Sequence, residues 1–167
     1  KTAGNLDQTY MGVFVDPDLG TFSDDFIGCD TIRSVGYCYN ANATDLLYGA
    51  GPPIVAIDFF EGPLSYIKDG SGVITDTVEL GLSSFVYFNN TTGPQGDPDD
   101  AAQFRNFQTG KWGDGSPITC GGNGVGGTIA TNYVYPGNPA DGSFYTGDCT
   151  DWSECSAGNT PDDRRFL

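Results

Sequence analysis

The chain has 167 residues, carries 22 Asp and Glu against 7 Lys and Arg, and contains no histidine. A net charge of −15 without a basic stripe argues against nucleic acid and anionic membrane as partners, and no apolar run approaches the ~20 residues of a bilayer-spanning helix. Without histidine the Ser-His-Asp and Cys-His constellations and the HExxH zinc helix are excluded. An aromatic share of 13% with 25 Gly and 10 Pro describes a folded, loop-rich, all-β domain.

In chain order, Met11–Val15 is an apolar run that stops at Asp16-Pro17-Asp18, the pattern of a buried strand entering a loop. Val35–Tyr39 is a second strand, and Pro53–Phe60 is apolar enough to be expected at the centre of a sheet. Leu82–Phe88 is a further strand ended by Asn89-Asn90. A short helix follows: Asp97 is suited to cap it, Pro98 to open it, and Asp99 and Asp100 to its positive end. Ala101, Phe104 and Phe107 share one face, and Gly110 supplies a stop. Gly121–Gly127 lacks the Gly-Lys-Ser/Thr of a phosphate loop and reads as a close-packed turn between strands. Thr128–Tyr135 alternates and ends at Pro136-Gly137. Short strands with this punctuation predict one antiparallel β-sandwich, jelly-roll-like, over residues 1–167 with long loops and one short helix. Asp162–Leu167 stops on an apolar dipeptide, which suggests a strand that continues in a longer parent protein.

The most informative segment is Asp16–Asp30, in which Asp16, Asp18, Asp24, Asp25 and Asp30 crowd together. Carboxylates so close repel one another, and a hard cation held by oxygen ligands relieves the repulsion. Asp16-x-Asp18-x-Gly20 starts like a calcium loop, but Ile27 stands where an EF-hand needs its bidentate Glu, so a non-EF-hand site is expected. A solvated acidic turn is the simpler alternative. Against it, Phe22, Phe26 and Ile27 favour burial, which makes unpaired charge expensive. Asp58, after Ile54–Ile57, is the sixth candidate ligand, and Arg164 or Arg165 is its alternative partner. Asp58 with Glu61 is also the sole candidate acid/base pair for a carboxylate-based glycosidase.

Five cysteines without a CxxC pair point to disulfides of an oxidising exterior rather than zinc. The short loops Cys29–Cys38 and Cys149–Cys155 are favoured, leaving Cys120 over, with ordinary buried thiols as the alternative. Trp112, Trp152 and Tyr135 are candidates for a sugar-stacking platform or, equally, for core packing.

Tyr10-Met-Gly-Val-Phe-Val-Asp-Pro-Asp-Leu-Gly20, Asp24–Asp30, Gly36–Asn40, Pro52–Pro63, Gly121–Gly127 and Asp162–Phe166 together resemble a module of large secreted Bacteroidetes surface proteins, which often end in a type IX secretion sorting domain. The resemblance implies export, a cell-surface or extracellular location and a multi-domain parent. The expected function is a non-catalytic calcium-binding module for adhesion, matrix building or spacing, with other surface proteins as partners. The alternatives are a carbohydrate-binding module with a glycan ligand and a self-assembling fibre subunit that exchanges terminal strands.

Overall fold

The structure is a computed structural model that describes residues 9–139, 149–150 and 152–167. After a 3-10 turn at Phe22–Asp24 come β1 (Asp25–Asp30), β2 (Val35–Asn40), the two-residue pair β3 (Thr44–Asp45) and β4 (Gly49–Ala50), and β5 (Ile54–Asp58). A hairpin of β6 (Leu64–Lys68) and β7 (Ile74–Glu79) leads to β8 (Tyr87–Phe88) and the helix α1 (Ala101–Gln108). β9 (Ile118–Thr119), β10 (Ala130–Thr131) and β11 (Arg165–Phe166) complete the order. The chain is all-β, with small antiparallel sheets and a single short helix among the described residues.

The three-stranded sheet runs β1-β2-β5, with β1 and β2 in register from Asp25 opposite Asn40 to Asp30 opposite Val35. Asp30 shapes the connecting turn by accepting the backbone N–H groups of Ile32 and Arg33, each at 3.0 Å. Gly28 lies under the Tyr37 ring, where a Cβ would come within 2.5 Å of the Tyr37 hydroxyl, so no larger residue fits the register. β5 is not the central strand that its apolar character predicts. It pairs only with β2, and Ile54, Ala56 and Asp58 are exposed, so its side chains face solvent on one side. Met11–Val15 likewise forms no strand; only Val15 pairs, with Phe166, while Met11, Val13 and Phe14 remain exposed. The β6–β7 hairpin, which lacks a clear alternation in the sequence, also exposes Leu64, Tyr66, Ile67, Ile74 and Val78.

α1 begins later than Asp97 and Pro98 suggest. Asp100 is the cap and accepts the Gln103 N–H at 2.8 Å, because its carboxylate stands three residues before that orphan donor. Gly110, at φ +71°, ends the helix as expected. Phe107 enters the core, whereas Phe104 is exposed.

The core lies between this helix, the three-stranded sheet and the loops around β8–β11. Tyr135 packs between Tyr87 and Trp152 at centroid distances of 5.7 and 5.1 Å, and Trp112 meets Tyr87 edge-on at 5.4 Å. Gly124 turns at φ +87° against Trp112, whose indole N–H donates to the Gly124 carbonyl at 3.0 Å. The glycine-rich segment lies between β9 and β10 as expected, but it is close-packed only at Gly124 and Gly127; Gly121, Gly122 and Gly126 are open to solvent.

The cysteine pairing differs from the favoured one. The disulfide joins Cys120 to Cys149, while Cys29, Cys38 and Cys155 are thiols. The register explains why Cys29 and Cys38 stay apart: Cys29 faces Gly36 and Cys38 faces Ile27, a diagonal of about 7 Å, beyond the reach of a disulfide. Cys149 is taken by Cys120, so Cys155 is left exposed. With a sequence separation of 29, closing this loop in the unfolded chain contributes about 3–4 kcal/mol.

Beneath the sheet, Glu154 is fully buried and Arg164 nearly so. Arg164 donates to Glu154 Oε1 from Nε at 2.8 Å, to the Thr160 carbonyl at 2.9 Å, and stacks over the Tyr87 ring at 5.0 Å. Glu154 Oε2 accepts the Ile27 N–H of β1 at 2.8 Å. Removing one partner strands a buried charge, so Glu154→Gln is expected to cost about 3–5 kcal/mol in urea denaturation. The double variant Glu154→Leu/Arg164→Met is expected to cost less than the sum of its single variants; additivity would mean that the two charges are not coupled.

Candidate functional site

Val15 and Phe166 exchange backbone hydrogen bonds of 2.9 and 3.0 Å, which lays the Asp16-Pro17-Asp18 turn against the segment that precedes Phe166. Asp18 takes the left-handed φ of +39°, a conformation that Asp and Asn tolerate better than most residues. As a result Asp16, Asp18 and Asp163 place carboxylate oxygens within 4.8 Å of one another. A calcium–oxygen bond of about 2.3–2.6 Å puts two ligating oxygens at most about 5 Å apart, so the spacing is of the order that a shared ion requires.

Arg165 lies beside this group. It donates to Asp16 at 3.0 Å, Asp163 at 3.1 Å and Asp97 at 3.2 Å, and to the Asn90 amide oxygen at 2.6 Å. Asn90 in turn donates to Asp163. Burial pushes the Asp163 carboxyl up, Arg165 draws it back, and Asp16 and Asp18 add to the rise. Arg165 pairs with three aspartates and Asp18 adds a fourth carboxylate, so the group is net negative. A cleft of about 590 Å³ opens beside it, with Asn90 and Asp97 on its wall along with Asp99 and Asp114.

The structure divides the six expected ligands. Asp16 and Asp18 come together, joined by Asp163. Asp24 and Asp25 lie elsewhere, at the start of β1. Asp25 is 1% exposed; its Oδ2 accepts the Leu19 N–H at 3.1 Å, and it stands opposite Asn40 across the strands. Asn40 donates to Asp24 Oδ2 at 3.4 Å and to the Asn42 carbonyl at 3.1 Å. Burial lifts the Asp25 carboxyl to about 7, with Asp24 and Asp45 adding to the rise and the Leu19 N–H opposing it.

Asp30 is not brought to either group, because it is spent on the β1–β2 turn and an ion pair with Arg33 at 2.5 Å. Asp58 sits exposed at the end of the edge strand β5, and both arginines suggested for it are engaged with other acids. Glu61 is exposed as well. Asp45 is another buried acid, held by the N–H groups of Thr21, Leu47 and Tyr48, which draw its carboxyl down to about 2. The three aromatic candidates are core residues: Trp112 and Tyr135 are fully buried and Trp152 is 4% exposed, so none presents a ring face to a sugar.

Asp163 and Asn40 are the residues that sequence reasoning missed. Neither has a local signal: Asp163 reaches Asp16 only through the Val15–Phe166 pairing, and Asn40 reaches Asp25 only through the strand register. Comparison with known proteins found no matching family model, no matching curated protein and no matching solved structure.

The raised Asp25 carboxyl gives a pH dependence of definite sign. The native state holds this proton more tightly than the unfolded chain, so its stabilisation is full below about 3.8 and is lost as pH rises through about 7. In chelator, the urea midpoint is therefore expected to be higher at pH 5.5 than at pH 8. Asp25→Asn is expected to raise the pH 8 midpoint and narrow the gap; an unchanged gap would show that Asp25 does not titrate there.

Proposed function

We propose that the chain is a non-catalytic, calcium-stabilised extracellular module of a surface or secreted protein, serving adhesion, matrix building or spacing. The observation that carries this reading is the convergence of Asp16, Asp18 and Asp163 from opposite ends of the chain. An all-oxygen donor set on an irregular loop favours calcium over magnesium, which demands near-ideal octahedral geometry. Arg165 supports the reading by orienting Asp16 and Asp163 from one side without neutralising the group. The calcium ion would tie the 16–18 turn to the segment before β11.

The Cys120–Cys149 disulfide supports an oxidising, extracellular setting. The resemblance to Bacteroidetes surface modules points the same way, and no described helix is long and apolar enough to cross a membrane. The exposed apolar side chains of the β6–β7 hairpin favour contact with other surface proteins over an isolated existence, since a lone two-stranded hairpin is marginal in water.

Thermal and urea unfolding with calcium and with chelator tests the reading. Free calcium at 100 times Kd is expected to add about 2.7 kcal/mol. Asp18→Asn removes one ligand charge yet tolerates the left-handed backbone, and is expected to lose most of the part of this gain that the 16–18 turn supplies. Identical unfolding midpoints in calcium and chelator would contradict the proposal.

A further inference from the structure

A second group of oxygens lies inside the molecule, away from the Asp16–Asp163 turn. Among the described residues, Asp24 Oδ1, Asp25 Oδ1 and Asn40 Oδ1 are buried with no N–H or O–H donor, and only the weakly donating Cys38 thiol lies beside Asp25. Their other polar atoms are engaged: Asp25 Oδ2 accepts from Leu19, Asp24 Oδ2 accepts from Asn40, and the Asn40 amide group donates to Asp24 and Asn42. Asn40 is therefore the hub, hydrogen-bonded to Asp24 and directly opposite Asp25 in the strand register.

Asp25 is 1% exposed and Asn40 9% exposed, so bulk water does not screen these atoms. An orphaned buried oxygen has lost its hydration without a replacement partner, at greater cost when it is charged. What the three oxygens lack is positive charge rather than one more acceptor. Among the described residues no ion pair reaches Asp24 or Asp25: Arg164 and Arg165 are committed to Glu154, Asp162, Asp163, Asp16 and Asp97, and Arg33 to Asp30.

We propose that Asp24, Asp25 and Asn40 form an interior calcium site, separate from the surface group, in which the three orphaned oxygens are ligands. Two carboxylates and one amide carbonyl are oxygen donors of the kind that calcium accepts. The ion would staple the 3-10 turn to the β1–β2 hairpin and remove the repulsion between adjacent Asp24 and Asp25. The alternative occupant is a proton on Asp25, and the two have opposite consequences for one substitution.

The test is calorimetric titration of the chelator-stripped full chain with calcium chloride, alongside urea unfolding in chelator. The unmodified protein is expected to bind two calcium ions, Asp18→Asn one, at the interior site, and Asp25→Asn one, at the surface site. Asn40→Asp adds a carboxylate to the cage and is expected to tighten the interior site at least tenfold while lowering stability in chelator. Asp25→Asn relieves a buried charge and is expected to remain folded in chelator, so loss of its ion cannot be ascribed to unfolding. If Asp25→Asn and Asn40→Asp bind calcium with unmodified stoichiometry and affinity, the interior site is overturned. If only Asp18→Asn retains the full stoichiometry, the surface reading fails and the interior site stands.

Discussion

The buried pair of Glu154 and Arg164 fixes how the C-terminal segment meets the sheet. Glu154 receives Ile27 of β1 on one oxygen and Arg164 on the other, while the guanidinium covers Tyr87. Three stretches distant in sequence are thereby held to one point. In extended chain, neighbours point to opposite sides. With Arg164 turned toward Glu154, Asp163 and Arg165 lie on the other side of the chain, against the 16–18 turn, bonded to each other at 3.1 Å. That pair is what meets the turn of Asp16 and Asp18. A slip of one residue would take Arg164 away from Glu154 and Asp163 and Arg165 away from the 16–18 turn, so the charged pair specifies register even where its net contribution to stability is small.

The second theme is a shortage of cations. The chain has 22 acids and seven bases, and of its arginines Arg164 and Arg165 are spent at points of burial. Other acids are held by backbone donors: Asp45 by three N–H groups, Asp30 by two and Asp100 at the head of α1. Two groups exceed what these devices supply. At the surface, Asp16, Asp18 and Asp163 surround more negative charge than Arg165 returns. In the interior, Asp24 and Asp25 stand side by side with orphaned oxygens. Both lie where the segment entering β1 meets another part of the chain, so a bound cation would act as a clasp.

Local patterns were legible in the sequence where chemistry is local. β2, the Gly121–Gly127 turn and the Gly110 helix stop follow from apolar runs and glycine placement. The acidic loop was visible as an excess of carboxylates, but its division was not. Phe26 and Ile27 pull Asp25 into a strand, leaving Asp16 and Asp18 in the preceding turn. The partners of each half depend on contacts between distant residues, Val15 with Phe166 and Asp25 with Asn40. Apolar runs misled where hydrophobicity does not mean burial: Ile54 and Phe60 are exposed, at 64% and 95%. Aromatic residues misled in the other direction, since Trp112 and Tyr135 build the core instead of a binding face. Cysteine pairing was illegible because short sequence spacing ignores strand register.

Amide hydrogen exchange of the full chain, followed at residues 15–19 and 162–166 in calcium and in chelator, tests the clasp most directly. The amides of Val15 and Phe166 are mutually hydrogen-bonded across the junction that the surface ion would bridge. Calcium is expected to slow exchange in both segments together, and Asp18→Asn to remove this protection while leaving the β1–β2 amides protected. Exchange in the two segments that is the same with and without calcium would contradict it.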